Sequence, residues 1–168
     1  MFKKYFIFLF IFLIFFSFIF SYDKFDNNSY YYPTDYLTIT SSYGYRTLYD
    51  TPNFHNGTDF GSPQGSNVYS ISSGVVSYVG FYNGYGNTII ITHQNGIKSL
   101  YGHLGEKFLV SLGDKVTSYQ LIGTVGPTIL SNGIRNGNTT GPHLHLTIFN
   151  SSNSTIDPMT LNMKKATN

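Results

Sequence analysis

From Tyr43-Gly44 to Gly126-Pro127 turn-forming residues interrupt the chain so often that no helix of ordinary length fits between them. The interruptions include Gly61-Ser62-Pro63, Gly65, Gly74, Asn83-Gly84, Asn95-Gly96, Gly113-Asp114 and Gly123. Between them stand short runs rich in Ile, Val, Thr and Tyr, which suit a pleated, half-buried surface. The pattern predicts an all-β domain, an antiparallel sandwich or barrel-like assembly built from paired hairpins. Gly65-Ser66-Asn67-Val68, with Gly74-Val75-Val76 and Gly80 after it, parallels Gly113-Asp114-Lys115-Val116 with Leu121-Ile122-Gly123 and Gly126. Each half reads as turn, strand, turn, strand, so two related hairpin units are expected to pack together.

The 168 residues suffice for one domain with a genuine core. Charged residues make up 11% of them and the net charge is +2, so no broad basic face for nucleic acid is expected. Cysteine is absent, which excludes disulfides, thiolate metal sites and lipidated cysteines. At the N-terminus Lys3 and Lys4 precede an uncharged run from Tyr5 to Phe20 that ends near Asp23. A signal-peptide core takes about 7–15 apolar residues and a spanning helix roughly 17–25, and this run falls between them. Residues 1–22 are therefore expected to form one hydrophobic helix, either a signal peptide or an uncleaved membrane anchor. With the two lysines inside, the remainder faces outward. The expected location is the periplasm, cell envelope or extracellular space, free or held at the outer face of the cytoplasmic membrane. Residues 23–36 read as a linker, 37–162 as the domain and 163–168 as a tail, the whole acting as a monomer.

Five histidines remain to be placed. Asn95-Gly96, flanked by Ile, Thr and Leu, predicts a two-residue hairpin turn that pairs Gln94 with Ile97, His93 with Lys98 and Thr88 with His103. In that register His93 and His103 lie on opposite faces of the ribbon, so at most one of them joins a site on a given face. His143 and His145 flank Leu144 in GPHLHLTIF. In a strand both imidazoles project from one face, while Leu144 and Leu146 anchor the other. Alone, such a pair reads equally as two solvent-facing polar positions. His55 and Asp59 stand in FHNGTDF, where Gly57 argues against a helix and for a turn running into a strand. Alone, Asp59 reads as a turn residue bonded to its own backbone. Together, His55, His143, His145 and one carboxylate can supply a metal site without thiolates, in which one of the paired histidines ligates and its neighbour exchanges protons.

At these residues the chain resembles the lysostaphin/LytM-type peptidoglycan metalloendopeptidases, which share a duplicated hybrid motif fold. The likeness runs from about Thr40 to Asp157-Pro158, through GYR…FHNGTDF, PQGSNVYSISSGVV, YGNTIIITHQNGIKSLYGHL, GDKV…QLIGTVG and TGPHLHL. It implies a zinc-dependent endopeptidase acting on the peptide portion of bacterial peptidoglycan, stem peptide or cross-bridge. It assigns one Zn2+ to His55, Asp59 and His145, and makes His103 and His143 the two catalytic histidines that do not ligate. One of these would take a proton from water and the other would stabilise the oxyanion and protonate the leaving amine; which does which stays open. His93 matches no catalytic position. Tyr43, Tyr45, Arg46 and Asn56 are candidates for lining the groove, each equally readable as structural.

Two departures from the family pattern stand out. PTILSNGIRNGNTT, residues 127–140, is a longer connection than the family leads one to expect, placed to wall the groove just before the catalytic strand. Leu146 replaces a commonly aromatic position, a change expected to affect packing only. No cell-wall targeting domain follows in this sequence, so wall binding is expected from the anchor, a partner or the groove itself. The rival readings are a two-histidine, one-carboxylate iron oxygenase, a non-enzymatic relative that activates another wall hydrolase, and a carrier module. The last needs a lysine at a hairpin tip, a setting that neither Lys98 nor Lys115 has.

Overall fold

The computed structural model describes residues 29–48 and 50–166. The expected N-terminal helix lies outside the described residues, and among those described no helix is long and apolar enough to cross a membrane. Twelve strands follow in order: β1 (Ile39–Ser41), β2 (Gly44–Leu48), β3 (Thr51–His55), β4 (Thr58–Phe60), β5 (Asn67–Tyr69) and β6 (Gly74–Tyr82), then β7 (Gly86–His93), β8 (Lys98–Gly102), β9 (Lys115–Val116), β10 (Leu121–Thr124), β11 (Leu144–Phe149) and β12 (Thr155–Ile156). The main sheet runs β1-β4-β11-β8-β7-β6-β9, with β12 beside β11, while β5–β10 and β2–β3 form separate two-stranded sheets. The domain is all-β and antiparallel, as the turn spacing predicts.

Alternation along the central strands divides the main sheet into two unlike faces. Ile89 and Ile91 of β7, Tyr101 of β8, and Leu144, Leu146 and Ile148 of β11 point into one core, where Val68 of β5 and Ile122 of β10 meet them. Leu146 is fully buried there. Truncating such a side chain to alanine costs about 2–5 kcal/mol. The opposite face carries His145 and Thr147, and it is the face on which the chemistry gathers.

The two similar units do not close as hairpins on themselves. β5 of the first pairs with β10 of the second, and β6 pairs with β9, both antiparallel. Each half thus completes a sheet begun by the other.

The β7–β8 register differs by one residue from the expected one. Ile91 stands opposite Ser99 and Thr92 opposite Lys98, while His93 N–H donates to the Ile97 carbonyl. The loop is three residues long, a 3-10 turn over Gln94–Gly96 closed by Gly96 at φ +73°. A type I turn followed by a left-handed glycine fits Asn95-Gly96 as well as the two-residue turn does. Strict alternation in the true register would put His103 on the core side with Tyr101. His103 escapes this because its own φ is +58°, which turns the backbone after Gly102 and sends Leu104 into the core instead.

Residues of the expected linker lie against the domain. Tyr31 N–H donates to the Ile71 carbonyl, Tyr69 N–H to the Pro33 carbonyl, and Lys164 N–H to the Tyr30 carbonyl. Tyr31 and Thr34 are buried. The cluster of tyrosines there supplies apolar area that a polar linker would lack.

Candidate metal centre and its cleft

His55 closes β3, and Asp59 stands in β4 directly opposite His145 of β11. All three side chains are buried, and one ligand atom from each lies within 4.8 Å of the others. His145 Nδ1 is 2.8 Å from Asp59 Oδ1, and His55 Nε2 is 3.2 Å from His145 Nδ1 and 3.3 Å from Asp59 Oδ1. Gly57 makes the approach possible. A Cβ there would lie 2.7 Å from the His145 ring and 2.5 Å from the Leu146 carbonyl, so the β3–β4 turn can lie flat against that histidine only without one.

The outer nitrogens decide what the inner ones offer. A carbonyl can only accept, so the Ser42 carbonyl 2.9 Å from His55 Nδ1 fixes the hydrogen there and leaves Nε2 as a lone pair aimed inward. His145 is held the other way round. Its Nε2 lies 2.8 Å from the Thr147 hydroxyl, which can accept or donate, and its Nδ1 faces the shared point. Two imidazole nitrogens and one carboxylate oxygen, buried and convergent, form a donor set that suits a borderline divalent cation such as zinc. The group can hold a metal ion.

His143 and His103 stand beside it. His143 precedes β11 by one residue, and its Nδ1 donates to the Gly141 carbonyl at 2.9 Å while Nε2 lies 3.6 Å from Asp59 Oδ1. His103 Nδ1 donates to the Asn136 carbonyl at 2.7 Å, and its ring centroid is 4.7 Å from that of His143. Both therefore turn Nε2 toward the cleft. His93 is elsewhere, on the core face, with Nδ1 donating to the Ser73 carbonyl at 2.8 Å.

Electrostatics follow from this crowding. Burial works to raise the Asp59 pKa, but the close approach of His145, His55 and His143 outweighs it. The carboxyl is held well below its ordinary range. His103 is pushed down to about 3, first by burial and then by His143 and His145, against the raising effect of the Asn136 carbonyl. Burial also lowers His145, although Asp59 pulls the other way. The pocket thus favours an ionised Asp59 beside neutral His103 and His145, and an ionised carboxylate with a neutral imidazole is what metal ligation requires.

These groups line a cleft of about 260 Å³, bordered further by Arg46, Asn53, Phe54, Asn56, Tyr85 and Asn138. Of the four groove candidates, Arg46 and Asn56 line it. Arg46 Nη1 lies 3.9 Å from Asp59 Oδ2 and bonds the Ser41 hydroxyl. Asn56 donates to the Tyr85 hydroxyl. Tyr43 is turned away, its hydroxyl donating to the Thr155 carbonyl at 2.9 Å, and Tyr45 stands 88% exposed outside the cleft, edge-on to Phe54.

Three residues of the site carry no signal in the one-dimensional pattern. Tyr85 follows Asn83-Gly84 in a hairpin tip that reads only as a turn. Asn136 and Asn138 belong to residues 127–140. Asn136 is fully buried, its side chain accepting from Asn87 N–H at 2.8 Å and donating to the Leu104 and Pro127 carbonyls. It pins the end of the long connection, and its carbonyl holds His103. Asn138 N–H donates to the Gly84 carbonyl, so this connection does border the cleft.

Comparison with known proteins points in one direction. The DD-carboxypeptidase/endopeptidase Mpg of Neisseria meningitidis is 39% identical over 115 residues, 67% of this chain and 24% of that protein. The peptidoglycan DD-endopeptidase ShyC of Vibrio cholerae is 34% identical over 116 residues, again 67% of this chain but 25% of the relative. The chain thus spans about a quarter of the length of these relatives. Among solved structures, a zinc-containing peptidase from Vibrio cholerae superposes with a TM-score of 0.68 at 34% identity, over 81% of this chain and 41% of that one. The catalytic domain of lysostaphin from Staphylococcus simulans does so with a TM-score of 0.62 at 32% identity, over 73% of this chain and 90% of that one. The family model that matches residues 53–158 runs from within β3 through β12 and takes in every residue of the histidine–aspartate cluster, and by that match this chain belongs to peptidase family M23.

Proposed function

We propose that this chain is a zinc-dependent endopeptidase that hydrolyses peptide bonds in bacterial peptidoglycan, in the stem peptide or the cross-bridge. The observation that carries the reading is the convergence of His55 Nε2, Asp59 Oδ1 and His145 Nδ1 at the floor of an open cleft, with two further imidazoles beside them. In this reading those three atoms hold one zinc ion, and His103 and His143 are the catalytic pair. When bound, the ion supplies Lewis-acid polarisation of a scissile carbonyl and activation of water. The chain's own part is in the protons. Imidazoles whose Nδ1 hydrogens are held by carbonyls can accept a proton at Nε2 from the attacking water and return one to the departing amine. The Asn136 and Gly141 carbonyls keep those two nitrogens aimed at the cleft. Arg46 balances the charge of Asp59, and the Asn56–Tyr85 pair forms a polar wall that can bond the substrate backbone.

The reading places the activity outside the cytoplasmic membrane, with residues 1–22 as the signal peptide or anchor, and gives the protein a monomeric form. It is tested by incubating the purified protein, zinc-loaded and chelator-stripped, with defined peptidoglycan fragments and identifying the products by mass spectrometry. Cleavage of one peptide bond, lost on stripping and restored by zinc, is the expected result. A zinc-loaded, folded protein that cuts no cross-link or stem peptide would sink it in favour of a non-enzymatic activator.

A further inference from the structure

An uncharged aromatic surface runs out of the cleft on the side away from Arg46. Tyr85 lines the cleft, with its ring 5.3 Å from that of His145. Tyr82 meets Tyr85 at 5.7 Å, and Tyr78 meets Tyr82 at 5.5 Å, each pair edge to face. The register shows which side of the sheet this is. Tyr78 stands opposite Ile90 and Tyr82 opposite Gly86, while Ile89 and Ile91 point to the core, so the tyrosines share the face of the metal-binding cluster. Gly80 leaves the sheet bare between them, its missing Cβ falling 3.3 Å from the Tyr78 hydroxyl. The β6–β7 tip is braced, with Tyr85 N–H donating to the Tyr82 carbonyl and Asn138 N–H to the Gly84 carbonyl. Tyr82 is nonetheless 45% exposed.

Chemistry narrows what this surface can take. No Asp, Glu, Lys or Arg occurs between Asp59 and Lys98, so the hairpin carries no formal charge. Two exposed amides, Asn83 and Asn138, stand at its tip. A peptide rich in carboxylates gains nothing from such a surface, and the cation that would meet one, Arg46, lies across the cleft. A neutral N-acetylated sugar fits better. The C–H faces of its ring are apolar and stack on aromatic faces, and its amide and hydroxyls bond side-chain amides. In peptidoglycan such sugars are joined covalently to the peptide, so continuity of this surface with the cleft is what one substrate molecule requires.

We infer that Tyr78, Tyr82 and Tyr85, with the neighbouring asparagine amides, form a subsite for the N-acetylated glycan strand attached to the peptide in the cleft. The inference rests on the endopeptidase reading for its substrate, and its test separates the two. The zinc-loaded full chain is assayed on peptidoglycan fragments that keep their sugars and on the same cross-linked peptides freed from them. Tyr82→Ala lowers kcat/KM on the sugar-bearing fragments about tenfold, through KM, and leaves the free peptides within about twofold. Phe81→Ala, a change at a residue of like exposure on the other side of the strand, alters neither. In parallel, a tetrasaccharide of N-acetylglucosamine shifts the NMR signals of Tyr78, Tyr82 and Asn138 in the native protein and not in Tyr82→Ala. Equal losses on both substrates would make the surface a peptide subsite and overturn the inference, as would unchanged kinetics on both. A native protein that cuts neither substrate but still binds the tetrasaccharide through Tyr82 would sink the endopeptidase reading and sustain the glycan subsite.

Discussion

Histidines on opposite faces of the same sheet use their nitrogens in opposite ways. On the core face His93 has both occupied: Nδ1 bonds the Ser73 carbonyl, and Nε2 lies 2.7 Å from Ser99 Oγ. Ser99 passes the chain on to the Tyr101 hydroxyl at 2.9 Å, where the Ile71 N–H ends it. On the cleft face His55, His103 and His143 each spend Nδ1 on a backbone carbonyl and keep Nε2 for the cavity. Burial does not separate the two sides, since His93 is 6% and His103 5% exposed. What separates a structural imidazole from one available for chemistry is whether its second nitrogen has been spoken for.

This contrast can be broken by removing histidines from each side in turn. His145→Ala should abolish peptide cleavage, by about ten-thousandfold or more, and release the metal on dialysis while the fold persists by circular dichroism. Retained metal and activity would mean that the convergence on Asp59 is not a ligand set. His103→Gln should lower kcat by about a hundredfold to a thousandfold with metal content unchanged. Loss of metal in that variant would move His103 into the ligand set. Thr147→Val removes the hydroxyl behind His145 Nε2, and competition with a chelating dye should then show metal affinity weaker by about tenfold. An unchanged affinity would leave Thr147 with packing alone.

His93 should give the smallest catalytic effect and a stability effect instead. His93→Gln is expected to keep activity within about twofold, yet to lose about 1–3 kcal/mol in denaturant melts, because Ser99 and the Ser73 carbonyl lose their partner. Burial lowers the His93 pKa in the folded protein, against a smaller raising effect of Ser73. As pH falls below the unfolded value of 6.5, the unfolded chain binds a proton that the folded one refuses, and stability declines. Part of that decline should vanish in the Gln variant when melts above and below that pH are compared. An identical pH slope would show that His93 is not held neutral.

The cluster itself was largely legible because period two is a simple rule. Leu144 and Leu146 are apolar and buried, so His145 had to face the other way, and Asp59 needed only to stand on the neighbouring strand. Legibility failed where one residue breaks the period. Asn95-Gly96 allows two turn lengths, and nothing local to it chooses between them. The left-handed backbone at His103 is no more visible, since the Asn136 carbonyl that receives its ring lies 33 residues away. Tyr85 and Asn138 were missed for the same reason, as each acquires its place only when the 127–140 connection folds over the β6–β7 tip. The segment from Ser29 onward was hidden because docking of its tyrosines depends on a surface made by Ile71, Tyr69 and Lys164.

The place of β11 in the sheet has a consequence for the life of the chain. Among the described strands only β12 follows it, yet it sits between β4 and β8, two strands made long before it. Until it emerges those neighbours have no common partner, and His55 and Asp59 have no His145 to complete their set. Closure of the sheet and completion of the donor set are therefore one event. Before β11 is made, the cluster therefore lacks one of its three donors, and its completion waits on the order of strands in the sheet.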